Sequence, residues 1–137
     1  SGIGASAAGI FAREGAQIVV SGRREAPLKD TVQAVQSAGG ECAYVTGDVT
    51  VLEDTQRMVD FTMETFGHID ILMNSAGVIK RTEVIEDATP EDWAWQMDSN
   101  ARSVFYTCKF ALPHMMQQRY GAIVNIGSVS SFIATRG

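Results

Sequence analysis

What most constrains this chain is a repeated switch between two hydrophobic periods. Ile3, Ala7, Ile10 and Phe11 recur at helical spacing, and Gly15 follows as a stop signal. Ile18-Val19-Val20 is then a short apolar run of β-branched residues, the pattern of a fully buried parallel strand. Pro27 suits a first helical turn, Leu28, Val32 and Val35 make one apolar face, and Gly39-Gly40 ends it before a strand candidate from Cys42 to Val45. Thr50-Val51-Leu52-Glu53 reads as a capping box, followed by Leu52, Val59, Met63 and Phe66 on one face and by Gly67 as the stop. Ile69 to Met73 predicts a third strand. Thr89-Pro90-Glu91-Asp92 opens a further helix with a cap, a first-turn Pro and two acids against the positive dipole end. That pattern runs to about Tyr120, with Val104, Cys108, Ala111, Leu112 and Met115 on one face and a kink expected at Pro113. Ala122 to Ile126 predicts the fourth strand. Strands separated by helices form βαβ units and a parallel sheet, so the fold class is α/β.

Composition narrows the function classes. A length of 137 residues fits one domain, 1–137, and 45% hydrophobic against 20% charged residues is the mix of a globular chain. The net charge of −5 argues against a nucleic-acid surface, which needs clustered Lys and Arg. No apolar run is long enough to span a membrane, and no basic-then-apolar leader opens the chain. Cys42 and Cys108 lie too far apart for a zinc pair and are too few for a disulfide scaffold. They read as two buried thiols in a reducing cytoplasm, and no metal site is expected. The chain begins on Ser1, inside a motif, and stops abruptly at Gly137, which reads as truncation at both ends.

Gly2-Ile3-Gly4 precedes a helix. Two close glycines there let backbone approach a phosphate, and the helix start offers free N–H groups to a pyrophosphate. With this segment the chain begins to resemble the short-chain dehydrogenase/reductase family, whose glycine motif is T-G-x-x-x-G-I-G. Gly15-Ala16 before an apolar strand and Arg23 continues the resemblance. Gly47-Asp48-Val49-Thr50 is similar to the family's Asp-Val pair at the adenine ring. Asn74-Ser75-Ala76-Gly77 resembles its N-N-A-G, with Ser75 in place of the second Asn, which puts one backbone-bracing hydrogen bond in doubt. Asn100 falls where the family keeps an active-site Asn at a helix irregularity, holding a water for a proton relay. Ile123-Val124-Asn125-Ile126-Gly127-Ser128 resembles the strand that delivers the catalytic Ser.

The resemblance implies a Rossmann-like doubly wound parallel sheet, incomplete in this chain, with strand order 3-2-1-4-5-6-7. The strand before Gly2 would be the central one, so the Ile18 and Ile69 strands would flank a gap and the chain would fold poorly alone. It also implies catalytic roles for Ser128 and Asn100, and cofactor contacts from Gly2, Ile3, Gly4, Asp48, Val49, Asn74, Ala76 and Gly77. Plainer readings stand beside these. The glycines could be packing positions, Asp48 a turn acid, Asn74 and Gly77 an ordinary turn, Asn100 a helix junction, and Ser128 a loop residue competing with Ser130 and Ser131.

Charge argues for the cofactor. An acid at the end of the second Rossmann strand binds a ribose 2′-hydroxyl, whereas Arg accommodates a 2′-phosphate. Gly22 stands about where the acid would be and Arg23-Arg24 follow, so NADP(H) is favoured over NAD(H), the plainer reading being a pair of solvated Arg at a loop. The family's Tyr-x-x-x-Lys pair, its general acid/base and the Lys that tunes it, falls beyond Gly137. The expected parent is an oxidoreductase interconverting a carbonyl and an alcohol, 3-oxoacyl thioesters and sugar-type alcohols among its candidates. It would be cytoplasmic, and a homodimer or homotetramer through the helix from about Ala101 to Tyr120. The rivals are a catalytically inactive, nucleotide-binding regulator on the same fold and a nucleotide-binding transferase.

Overall fold

A computed structural model describes residues 2–79, 85–129 and 132. Among the described residues four strands alternate with helices, in the order α1 (Gly2–Arg13), β1 (Gln17–Gly22), α2 (Glu25–Ser37), β2 (Glu41–Thr46), α3 (Leu52–Phe66), β3 (Ile71–Asn74), α4 (Pro90–Met97), α5 (Ser103–Gln118) and β4 (Ala122–Asn125). A short 3₁₀ turn, Ile85–Asp87, precedes α4. A π-helical turn, Asp98–Arg102, joins α4 to α5 without leaving the right-handed helical region.

All strand pairing is parallel, as helical crossovers require. β1 runs beside β2 with Gln17 opposite Glu41 and Gly22 opposite Thr46. β3 runs beside β4 with Ile71 opposite Ala122 and Asn74 opposite Asn125. The two pairs are separate sheets among the described residues. That is the gap expected between the Ile18 and Ile69 strands, and it leaves Ile71 48% exposed.

Each pair has its own apolar cluster. Ala8, Val35 and Cys42 are buried together, with Ala12, Ile18, Val20 and Val32 packed against them. Val59, Ile69, Ala111 and Met115 form the second cluster, joined by Met63, Leu72, Phe110 and Ile123. Burying a side chain such as Val35 or Met115 stabilises by about 1.5–3 kcal/mol. Helix α3 links the halves, since it packs on β1 and β2 and also on α5.

Several local expectations change. β1 is partly rather than fully buried, because it is paired along one edge only. Ala8, not Ile3 or Ile10, is the buried residue of α1, because the small side chains let α1 approach α2 closely. Leu52 and Leu112 are exposed, while Thr55 and Ala111 are at 0% exposure. β3 begins at Ile71 although Ile69 is buried, and α5 stops at Gln118 because Arg119 turns left-handed at φ 57°. Cys108 is half-buried rather than buried.

The two capping motifs part company. At Thr89 the box forms: the hydroxyl accepts the Asp92 N–H and the Asp92 carboxylate accepts the Thr89 N–H. At Thr50 it does not. The Thr50 hydroxyl donates to Asp48 Oδ1 at 2.8 Å, and the helix starts one residue later with Val51 as its cap.

Candidate functional site

The carboxyl ends of the strands gather most of the residues singled out above. α1 opens on Gly2 at φ 63°, a left-handed conformation that costs glycine little and other residues more. Ile3 is exposed beside it. Gly4 lies against the loop that follows β3, so close that a Cβ there would come within 2.7 Å of Ser75 Oγ. The helix start and the Asn74–Gly77 segment therefore share one edge, with Ala76 and Gly77 exposed on it. Ser75, where the family motif has Asn, fills the contact with Gly4.

A second group forms where β1 and β2 end. The Gly47 N–H donates to the Gly22 carbonyl at 3.0 Å and carries the pairing one step past the strands. Arg23 Nη1 then lies 3.8 Å from Asp48 Oδ2, with the Arg23 side chain 68% exposed. The other Asp48 oxygen accepts the Thr50 N–H at 2.9 Å and the Thr50 hydroxyl. Asp48 is thus a turn acid in this structure, with one oxygen still facing Arg23. Arg24 stands at the start of α2, exposed, and makes no side-chain cap there. The Val49 carbonyl accepts the buried Thr55 hydroxyl at 3.3 Å, a bond that Thr55 shares with Val51 at 2.9 Å.

The third group brackets the end of β3. Asn74 donates from Nδ2 to Asn125 Oδ1 at 2.8 Å across the β3–β4 pair. Its own Oδ1 accepts the Thr107 hydroxyl at 2.8 Å, a proton shared with the Val104 carbonyl at 3.0 Å. Asn100 sits in the π turn, and its carboxamide is committed to one residue. Its Oδ1 accepts the Val78 N–H at 2.8 Å while its Nδ2 donates to the Val78 carbonyl at 2.9 Å. A π turn widens the helix by one residue, which lets a polar side chain leave the helical row. Gly77 must pass this carboxamide, since a Cβ there would be 3.1 Å from Asn100 Oδ1.

Ser128 follows β4 and is exposed; Ser130 and Ser131, its competitors in sequence, lie outside the described residues. Thr107 and the pair Asp54–Arg57 were not singled out by sequence. The i,i+3 spacing of Asp54 and Arg57 is a visible signal, but their reach to the backbone before α3 is not. Among the described residues no group of three His, Cys, Asp or Glu is placed to hold a metal ion. No helix there is long and apolar enough to cross a membrane.

Comparison with known proteins decides the family, because the one described as short chain dehydrogenase matches residues 1–137. The chain belongs to the short-chain dehydrogenase family. Among curated relatives of this chain, an uncharacterised oxidoreductase of Thermotoga maritima is 39% identical over 133 residues, 97% of the chain and 52% of the relative. One from Staphylococcus saprophyticus is also 39% identical, over 99% of the chain and 58% of its own length. An NADH-dependent reductase solved in complex with NAD superposes with a TM-score of 0.88 at 30% identity, over 96% of the chain and 57% of the reductase. A short-chain dehydrogenase/reductase of Serratia marcescens gives 0.88 at 29% identity, over 97% and 54%. The chain thus spans about half the length of the relatives it matches. With these likenesses the α/β architecture is that of an incomplete Rossmann-fold dehydrogenase, β2-β1 and β3-β4 lying on either side of the gap.

Proposed function

We propose that the whole protein interconverts a ketone and a secondary alcohol with NADP(H) as hydride carrier. The observation that carries the cofactor choice is the end of β1. Gly22 offers no carboxylate, and the Arg23 guanidinium stands exposed beside it. A planar guanidinium pairs well with phosphate oxygens, while a carboxylate at that place would repel them. The rest of the edge fits a dinucleotide. Gly2 and Gly4 bring backbone close without side chains, and the first N–H groups of α1 have no partner inside the helix. Asp48 and Val49 would flank the adenine, and Asn74, Ala76 and Gly77 the ribose side.

Bound there, the cofactor supplies hydride transfer at its nicotinamide ring. This chain's own part is position and polarity. The Ser128 hydroxyl would orient the substrate carbonyl by donating to its oxygen. The Asn100 side chain is already used on Val78, so a water for proton relay at this π turn would need a partner other than its carboxamide. The Tyr and Lys that complete such a relay in the family would come from beyond Gly137. Substrates of the 3-oxoacyl thioester or sugar-alcohol type fit this chemistry. The exposed Phe105 and Met116 of α5 and Trp93 and Trp95 of α4 support a homodimer or homotetramer.

Full-length protein assayed for NADPH and NADH oxidation with a panel of ketones, 3-oxoacyl thioesters and keto-sugars tests this. Turnover with NADPH at least tenfold better than with NADH supports it; a preference for NADH refutes the cofactor choice. The inactive, nucleotide-binding regulator has one observation in its favour, since both Asn100 bonds are structural and need no catalysis to explain them. Tight nucleotide binding without turnover would put it first.

A further inference from the structure

The Gly47–Asp48–Val49 bend is held by side chains of α3. Asp54, in the first turn of that helix, accepts the Asp48 N–H on Oδ2 at 2.8 Å. Its other oxygen takes Arg57 Nη1 at 2.6 Å, and Arg57 Nη2 donates to the Thr46 carbonyl at 2.7 Å. One carboxylate–guanidinium pair therefore ties the last residue of β2 to the amide of Asp48, with Gly47 between them. Gly47 lies close against α3: a Cβ there would meet the side-chain ends Met58 Cε at 2.5 Å and Arg57 Nη2 at 3.1 Å, and Asp54 Cβ at 3.3 Å. The bend also meets the Gly22 carbonyl, through the Gly47 N–H, and the Arg23 guanidinium, through Asp48. Arg23, Thr46, Gly47, Asp48, Asp54 and Arg57 line one shallow depression.

An exposed ion pair contributes little to global stability. This one differs in that each partner also bonds backbone, so what it sets is the shape of the bend. The Asp48 amide, and after it Arg57, hold the Asp54 carboxyl below the usual carboxylate range, which keeps the pair charged at working pH.

We infer that Asp54 and Arg57 are positioning residues for the adenosine end of the dinucleotide, holding the Gly47–Asp48–Val49 bend so that Asp48 and Val49 face the ligand beside Arg23. The inference rests on the nucleotide reading above. Neither residue needs to touch the ligand; both act through the backbone they hold.

The test uses full-length protein, with adenosine 2′,5′-bisphosphate as a probe that lacks the nicotinamide half. Arg57→Met keeps the length of the side chain and removes its donors. It should raise the Kd of the probe and the KM of NADPH by about tenfold, with kcat within about twofold and the melting temperature nearly unchanged. Arg57→Lys, which can keep the charge pair but not both bonds, should fall between, and Asp54→Asn should do the same because it still accepts from Asp48. Unchanged probe affinity in Arg57→Met and Asp54→Asn overturns the inference. So does a kcat loss in Arg57→Lys that matches its KM change, since that marks a general structural effect. If the wild type binds the probe and the variants bind it equally well, only the inference fails. If the wild type binds neither the probe nor NADPH, the nucleotide reading fails first.

Discussion

Asn100 holds Val78 as one strand residue holds another: its Oδ1 accepts the Val78 N–H at 2.8 Å and its Nδ2 donates to the Val78 carbonyl at 2.9 Å. The π turn projects the carboxamide, and the loop after β3 is shaped by it. Asn100→Asp keeps the acceptor but sets a carboxylate oxygen against the Val78 carbonyl, so it should be worse than Asn100→Ala. The expected losses in the full-length protein are about 1 kcal/mol for Ala and about 2 kcal/mol for Asp, with faster amide exchange at Val78. Equal melting temperatures for wild type and Asn100→Asp would contradict this account.

Gly4 and Ser75 form a pair that a double-mutant cycle can read. A Cβ at Gly4 would sit 2.7 Å from Ser75 Oγ but 3.9 Å from Ser75 Cβ. Gly4→Ala should therefore weaken the contact between α1 and the loop after β3, and Ser75→Ala in the same protein should restore most of it. The coupling should be about 0.5–1 kcal/mol by chemical denaturation. Additive effects would mean that the hydroxyl simply turns away.

Arg23 should govern the choice of cofactor more than the stability of the fold. Its 3.8 Å approach to Asp48 is exposed and worth little by itself. Arg23→Ser should lower the NADPH-to-NADH ratio of kcat/KM by about tenfold or more, since charge-assisted bonds to phosphate are the stronger kind. A ratio that does not move assigns the phosphate to other groups.

Tyr44 offers a pH signature. Its hydroxyl donates to Glu25 Oε1 at 2.8 Å, and that bond, followed by burial, raises the phenol above its ordinary value near 10.0. A pKa raised by folding marks stabilisation that is present below the unfolded value and lost as pH climbs through the folded one. The tyrosinate absorbance difference between wild type and Tyr44→Phe should titrate above free tyrosine. A midpoint at or below the ordinary value would mean the Glu25 bond does not form in solution.

The two separate strand pairs bear on the 137-residue chain by itself. β1 and β3 each present an unpaired edge among the described residues, and Ile71, Val124 and Ile126 are exposed. Backbone groups on such edges have no sheet partner, and the apolar faces lack cover. The purified chain should lose its circular dichroism gradually on heating. A sharp cooperative transition would show that α3, packed on both halves, suffices to hold them together.

Much of the candidate site was legible in sequence because it is carried by residues whose type is itself constrained. Glycine is what Gly2 and Gly4 need for a positive φ and a close approach, and Asn74 and Asn100 carry both a donor and an acceptor. The bracing residues were not legible. Thr107, Asp54 and Arg57 look like ordinary helix-surface residues until the chain is folded, and only then do they meet Asn74, Asp48 and Thr46. The two threonine caps make the same point. Thr89 and Thr50 carry equivalent local patterns, yet Asp48 captures the Thr50 hydroxyl and only Thr89 closes its box.

By itself the sequence determined the alternation of helix and strand, the parallel class of the sheet and the order of the motifs along the chain. Those follow from periods of 3.6 and 2 residues and from the preferences of Gly, Pro and Thr, which act over a few neighbours. Only the tertiary structure decided which apolar faces are buried, that Ala8 and Thr55 rather than Ile10 and Leu52 lie inside, and which backbone atoms Asn100 and Arg57 hold. Burial and long-range hydrogen bonds depend on which elements meet, and that is set by packing across the whole chain rather than by any local stretch of it.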